Sequence, residues 1–402
     1  MDSVLPVSAQ TTIGFLGAGQ LARMSAAAVM RLGMRAAAYS GTCNWNTLDV
    51  SALSAGGSVL QPLEWMTPLQ FPGDFDDEEA LIRFAGMCDV VTLENEFLDG
   101  QLLARVEAKS GTNILPSPAS FMKLESKWLE KETFRKAGIP VTPYKKITAE
   151  GDLESFAQVH GYPFVLKSSK GGYDGYGNKT VYTPGDHSRA FASLGGDAGH
   201  ELIAEAFIPF HKELAVQIAR NRTGTAVYPC CETIQKGHIC KTVIAPAPVH
   251  RLIAEEACRL ASSAVEAIDG IGLFAFEFFL TEDGRLYLNE SAPRPHNSGH
   301  YTIEACITSQ FENHIRAVMG LPLGPADMRV PAAVMENILG SRNGEAIVKV
   351  PDELWKTKEA HLHIYGKHSS RIGRKMGHLT ILGDDLIETA QKAAGLADKI
   401  SL

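Results

Sequence analysis

FAFEFFLTEDGRLYLNESAPRPHNSGH, residues 274–300, sets two apolar-rich runs on either side of an acidic turn and then passes into a polar, basic loop. Phe274 to Leu280 is rich in β-favouring aromatics, Asp283-Gly284 is turn chemistry, and Arg285 to Ser291 alternates apolar with polar residues, so the segment is expected to be a β-hairpin. A four-residue turn at 281–284 puts Leu280 opposite Arg285 and Glu277 opposite Leu288. Glu290 then shares a sheet face with Glu277 at the diagonal spacing of about 7–8 Å. Phe276, Phe278 and Leu280 take the other face and are expected to meet a core. Two carboxylates aimed at one place repel unless a cation lies between them. Mg²⁺ suits the pair because it takes hard oxygen ligands and completes its shell with water and phosphate. Two solvated acids on an exposed hairpin is the plainer alternative. Arg294, His296, Asn297, Ser298 and His300 follow at once, placing anion-binding donors beside the expected cation.

The segment YLNES followed by APRPHNSGHYTIEA resembles the signature of the N5-carboxyaminoimidazole ribonucleotide synthetases, ATP-grasp ligases of purine biosynthesis.

Its 402 residues are too many for one compact core, so two or three domains are expected. The 45% hydrophobic and 21% charged content is that of a globular chain, and the net charge of −8 disfavours a nucleic-acid binder. Seven cysteines without a C-x-x-C pair suggest neither a disulfide framework nor a zinc site and fit a reducing compartment. The N-terminus has no basic-then-apolar leader and no run approaches a membrane span, which points to a soluble, cytoplasmic protein with no membrane partner.

Thr11 to Leu16, the turn GAGQLARM, a helix through Leu32 and a strand Met34 to Tyr39 form a βαβ start. Gly17, Gly19 and Ala22 match a dinucleotide turn, yet Tyr39-Ser40 stand where an acid should hold a ribose, so NAD is not expected. The helix N-terminus is left to offer N–H groups to another phosphate or polar ligand. Residues 41–78 are poorly patterned and carry no assigned function. Cys88 to Leu93 reads as a strand ending in Glu94 and Glu96 at the carboxyl edge of a sheet. SKWLEKETFRKAGIP reads as a helix stopped by Gly138 and Pro140, with Lys127 facing the next element. Lys167 lies on a strand leading into KGGYDGYGN, a glycine-rich hairpin whose backbone can approach phosphate oxygens at Gly171, Gly172, Gly175 and Gly177. Tyr228 to Lys241 reads as a hairpin carrying Glu232, Gln235 and His238, and Val249 to Ile268 as a packing helix. Tyr301 to Met319 is expected to be one helix, and residues 361–381 a strand, basic loop and strand.

Six motifs follow the family's order: GAGQLARM, TLENEF, KSSKGGYDGYGN, EAFIPFHKE, NESAPRPHNSGH and GRKMGH. The resemblance implies an α/β, ATP-grasp fold with a Rossmann-like N-terminal domain (residues 1–121), a linker helix and lid (122–204) and a C-terminal α+β domain (205–402). It implies MgATP, bicarbonate and 5-aminoimidazole ribonucleotide as ligands and a homodimer. Tyr173, Asp174, Arg294, His296 and Glu94 would be catalytic. Lys127, Lys167, Gly172, Gly175 and Gly177 would serve the phosphates, Glu205, Phe207 and Ile208 the base, Glu213 the sugar, and Glu232 and Asn289 the same nucleotide site. Gln20, Leu21, Asn297, Ser298, Lys367, Arg374 and Lys375 would bind the ribonucleotide, and Glu277 and Glu290 the metal. Strict alternation points Asn289 away from that metal, and a bulge would reconcile the two. Lys170, Tyr176, Pro295 and Ile372 depart from the family's pattern; Pro295 and Ile372 do so without removing a charge. Another ATP-grasp ligase, or the first part of a bifunctional phosphoribosylaminoimidazole carboxylase, are the alternatives.

Overall fold

The structure, a computed structural model, describes residues 7–41, 61–171 and 177–401. Gly172, Tyr173, Asp174 and Gly175, with Tyr176 and residues 42–60 of the unassigned segment 41–78, lie outside the described residues.

Among the described residues three large sheets carry the chain, beside a two-stranded ribbon of Gly344–Glu345 with Ser369–Ser370. The first is parallel and five-stranded, in the order Gln70–Pro72, Arg35–Ser40, Thr12–Leu16, Val90–Leu93, Ile114–Leu115. Its strand order reverses between Thr12–Leu16 and Val90–Leu93, so the carboxyl ends of these two strands open a crevice of the kind in which α/β sheets bind ligands. The glycine turn and the acids after Leu93 lie there.

The helix Lys127–Lys136 leaves this unit, capped by the Ser126 hydroxyl, which accepts from the Leu129 N–H, and ended by Gly138 at φ +75°. It leads to a four-stranded antiparallel sheet ordered Tyr144–Ile147, Leu202–Ala206, Phe164–Ser168, Asn178–Val181. Phe164–Ser168 and Asn178–Val181 form the expected glycine-rich hairpin. Helices Gly151–His160 and His187–Ser193 bury Leu153, Phe156, Ala190 and Phe191 against it.

The third sheet has nine strands and runs from the edge strand Leu286–Ala292 through Gly272–Thr281 and Phe210–Asn221 to Lys375–Gly383 and Ala360–Ile364. Helix Arg251–Ala267 covers one face, burying Leu260, Ala261 and Val265 on Phe274, Phe276 and Phe278. Each such large side chain removed from water stabilises the packing by roughly 1.5–3 kcal/mol. Phe276, Phe278 and Leu280 are at most 1% exposed, as the alternation requires.

Two expectations are corrected. Leu280 pairs with Leu286, not Arg285, and Phe278 pairs with Leu288; Glu277 then stands directly opposite Glu290 rather than diagonal to it. The register shift between Glu277 and Phe278 leaves Asn289 as the extra residue of a bulge, so Asn289 and Glu290 together face Glu277. The expected helix 301–319 is two: Thr302–Ala305 and Gln310–Val318. Between them Cys306 is extended and bridges Met328, and Ser309 starts the second helix by accepting from the Glu312 N–H.

Candidate active site

A cavity of about 530 Å³ is walled by all three units. Gln20, Leu21 and Glu96 come from the crevice of the parallel sheet, Lys127 from the linker helix and Gly171 from the glycine-rich hairpin. Glu277, Glu290, Arg294, His296 and Asn297 come from the long hairpin and its loop, and Lys367, Arg374 and Lys375 from the basic loop. Eleven of the expected site residues therefore meet in one space. Among the described residues no helix is long and apolar enough to cross a membrane.

At the acidic end, burial and then the facing Glu290 carboxylate push Glu277 well above the usual carboxylate range. Glu290 is held below that range by the Lys127 ammonium, 3.0 Å away. Among the described residues no group of three or more His, Cys, Asp or Glu side chains could cage a metal alone. Two facing carboxylates beside the buried, partnerless Oδ1 of Asn289 fit instead an ion that keeps positions for water and phosphate oxygens.

Between the ends, Arg294 is anchored on both oxygens of Glu96, with Nη2 2.9 Å from Oε1. Arg294 overcomes the effect of burial and keeps Glu96 below its ordinary pKa. Burial, then Arg294 and Lys375, lower His296 to about 3, so its ring is neutral. Its Nδ1 accepts from the Ser298 N–H at 3.3 Å, which puts the ring proton on Nε2. Asn297 and Asn337 exchange amide hydrogen bonds of 2.9 and 2.6 Å.

The basic loop is braced from the parallel-sheet unit: Arg23 donates to the Tyr365 carbonyl at 2.8 Å and Trp65 stacks on His368. Lys367 donates to the Lys375 carbonyl at 2.7 Å and Arg374 to the Ser369 carbonyl at 2.7 Å. Burial, then the neighbouring Arg374, lower Lys367 to about 7.

Other expected residues lie around this cavity without lining it. Glu94 fills the glycine turn: a Cβ at Gly17 or Gly19 would collide with its carboxylate, and the Leu21 N–H bonds to it. That turn was expected to offer its N–H groups to a ligand, and the protein's own acid takes the position. Burial raises Glu94 to about 7. Lys167 and Lys131 each lie 3.2 Å from Glu205 Oε2, which also accepts from Thr142. Burial raises Glu205, but the two ammoniums outweigh it and hold the carboxyl below its ordinary value. Phe207 and Ile208 sit in the connection between the sheets after Leu202–Ala206, with Phe207 exposed. Glu213 accepts from Gln235, Glu232 pairs with Lys212 at 2.7 Å, and Gly177 takes φ +82° at the hairpin base.

Ser298 and His300 do not line the cavity. Ser298 is 1% exposed, its hydroxyl held between His296 Nδ1 and Gln217 Nε2, so it positions His296. His300 is fully buried against Phe311, Tyr365 and His378. Glu130 and Lys131 were missed, although with Lys127 they occupy positions i, i+3 and i+4 of one helix face, a spacing visible in KWLEK.

Comparison with known proteins converges on one group. The chain matches the ribonucleotide synthetase preATP-grasp domain over residues 10–123, the ATP-grasp domain over 132–311 and the phosphoribosylaminoimidazole carboxylase C-terminal domain over 333–392. It is 37% identical to a phosphoribosylaminoimidazole carboxylase of Ogataea methanolica across 95% of this chain and 68% of that one. It is 35% identical to an N5-carboxyaminoimidazole ribonucleotide synthase of Synechococcus elongatus across 97% and 95%. The crystal structure of the Aspergillus clavatus N5-carboxyaminoimidazole synthase with ADP and 5-aminoimidazole ribonucleotide superposes with a TM-score of 0.83 at 32% identity, covering 97% of this chain and 99% of that one. Matched along nearly its whole length, the chain belongs to the N5-carboxyaminoimidazole ribonucleotide synthase family of ATP-grasp ligases.

Proposed function

We propose that the protein carboxylates 5-aminoimidazole ribonucleotide on its exocyclic amine, consuming ATP and bicarbonate and releasing ADP and phosphate. One observation carries the assignment: a single cavity joins a carboxylate pair suited to a metal–phosphate complex to a basic loop suited to a second phosphate. The family likeness supplies the substrates' identity, and the Aspergillus clavatus relative holds ADP and the ribonucleotide together.

In this reading Glu277 and Glu290 hold Mg²⁺ with Asn289 beside them; when bound, the ion offsets charge on the terminal phosphates of ATP. Lys127 fixes a positive charge next to the transferring group. Glu205, Phe207, Ile208, Glu213 and Glu232 receive the nucleoside, and Lys167 with the loop bearing Gly172, Gly175 and Gly177 covers the phosphates. Tyr173 and Asp174 are assigned catalytic roles on the family likeness alone. A bicarbonate oxygen takes the γ-phosphoryl group as its bond to ADP breaks. The carbon–oxygen bond of carboxyphosphate then breaks, giving CO₂ and phosphate, and the amine adds to CO₂ and passes its proton to that phosphate. Arg294, fixed by Glu96, and the Nε2–H of His296 orient the anions between the two ends. Gln20, Leu21, Asn297, Lys367, Arg374 and Lys375 hold the ribonucleotide, and the half-buried acid Glu94 sets the turn beneath it. Closure excludes water from the labile anhydride.

The divisions 1–121, 122–204 and 205–402 belong to the same proposal, supported by three sheets with separate cores. A cytoplasmic homodimer is also part of it, supported by the family likeness. The test is ADP release in the presence of Mg²⁺ and bicarbonate, with and without the ribonucleotide. Strong stimulation by the ribonucleotide is expected; equal release with any amine, or none, would overturn the assignment.

A further inference from the structure

Leu286–Ala292 is the last strand of the nine-stranded sheet, and its outer edge carries backbone groups that no further strand can satisfy. The linker satisfies them. The Leu288 N–H donates to the Pro140 carbonyl at 2.8 Å, with Val141 bridging Leu288. Lys131 Nζ donates to the Leu288 carbonyl at 3.4 Å and to that of the bulge residue Asn289 at 2.9 Å. Glu130 Oε1 accepts from the Ser291 N–H at 2.5 Å and from its hydroxyl at 2.6 Å. Lys127 reaches the Glu290 carboxylate itself. Residues 289, 290 and 291 are therefore each gripped by a different side chain from one face of one helix turn. Glu130 and Lys131 are 5% and 1% exposed, an unusual degree of burial for two charges.

We infer that Glu130 and Lys131 are positioning residues that hold the Asn289 bulge, and through it set Glu290 opposite Glu277. The inference rests on the reading that this carboxylate pair takes the divalent ion. The two residues act through backbone groups flanking a ligand, as outer partners of metal sites do. Lys131 adds a second connection, because the same ammonium that holds the Asn289 carbonyl lies 3.2 Å from Glu205 on strand Leu202–Ala206. The expected nucleotide-base site and metal pair thus share one cation.

The experiment is Mn²⁺ binding by electron paramagnetic resonance in the presence of ADP, read beside hydrogen exchange at the Ser291 amide and the KM for the ribonucleotide. Glu130→Ala is expected to weaken Mn²⁺ binding about 10- to 100-fold and to speed Ser291 exchange, with the ribonucleotide KM unmoved. Glu130→Gln keeps an acceptor for Ser291 and is expected to restore most of the lost affinity. Unchanged Mn²⁺ binding in Glu130→Ala would overturn the inference. So would loss of Mn²⁺ and ribonucleotide binding together in both variants, which would mark a residue needed only for folding. Glu290→Gln serves as the reference: if it binds Mn²⁺ as the unaltered protein does, the metal assignment itself falls.

Discussion

Arg374 and Lys367 decide which ligand the basic loop serves, because both line the cavity that also holds the carboxylate pair and Lys127. A charge-assisted contact to phosphate contributes about 1.5–3 kcal/mol, so Arg374→Ala should raise the ribonucleotide KM about ten- to a hundredfold and leave the ATP KM in place. Measuring both constants separates the ligands, and a rise confined to ATP would reassign the loop. Lys367 adds a pH signature. With its pKa lowered to about 7, the ammonium is charged below that pH and loses its proton as pH rises through it. The phosphate dianion forms above about pH 6, so kcat/KM for the ribonucleotide should fall on the alkaline side of neutrality, far below the ordinary lysine range. Lys367→Arg should remove that fall, since a guanidinium stays charged; a profile flat to pH 9 in the unaltered protein would refute the role. These cations were legible in the sequence because Lys367, Arg371, Arg374 and Lys375 fall within nine residues that run into GRKMGH. The burial of Ser298 was not: donors in a polar loop look alike until the fold shows which of them also hold a neighbour.

At the scale of elements, the long hairpin concentrates the chemistry in two strands. Glu290→Gln should nearly abolish turnover with the fold intact, because it removes a charge from the metal pair and the Lys127 partner together; turnover at the unaltered rate would remove Glu290 from the site. Ser126→Ala should lower the stability of the chain by about 1 kcal/mol in denaturant unfolding, since it deletes the cap of the linker helix. The hairpin's apolar face was readable from alternation, and so was the need for a bulge at Asn289. Its pairing was not, because turn length alone placed Arg285 where Leu286 stands. The break between Ala305 and Gln310 escaped notice for a related reason: helical spacing continues across it, while the bridge from Cys306 to Met328 is a long-range contact.

For the molecule as a whole, six short motifs spread from Gly17 to His378 indicated one cavity, and the three sheets assemble it from residues more than 300 positions apart. The order of motifs was legible; the braces between units, Arg23 on Tyr365 and Trp65 on His368, were not, since neither pair shares a local pattern. The most direct test of the account follows one oxygen atom. Bicarbonate labelled with ¹⁸O in all positions should give released phosphate carrying one label, because the bicarbonate oxygen that accepts the phosphoryl group departs with it when carboxyphosphate breaks. Labelled phosphate formed only with the ribonucleotide present is the predicted result, and unlabelled phosphate under the same turnover would contradict the account.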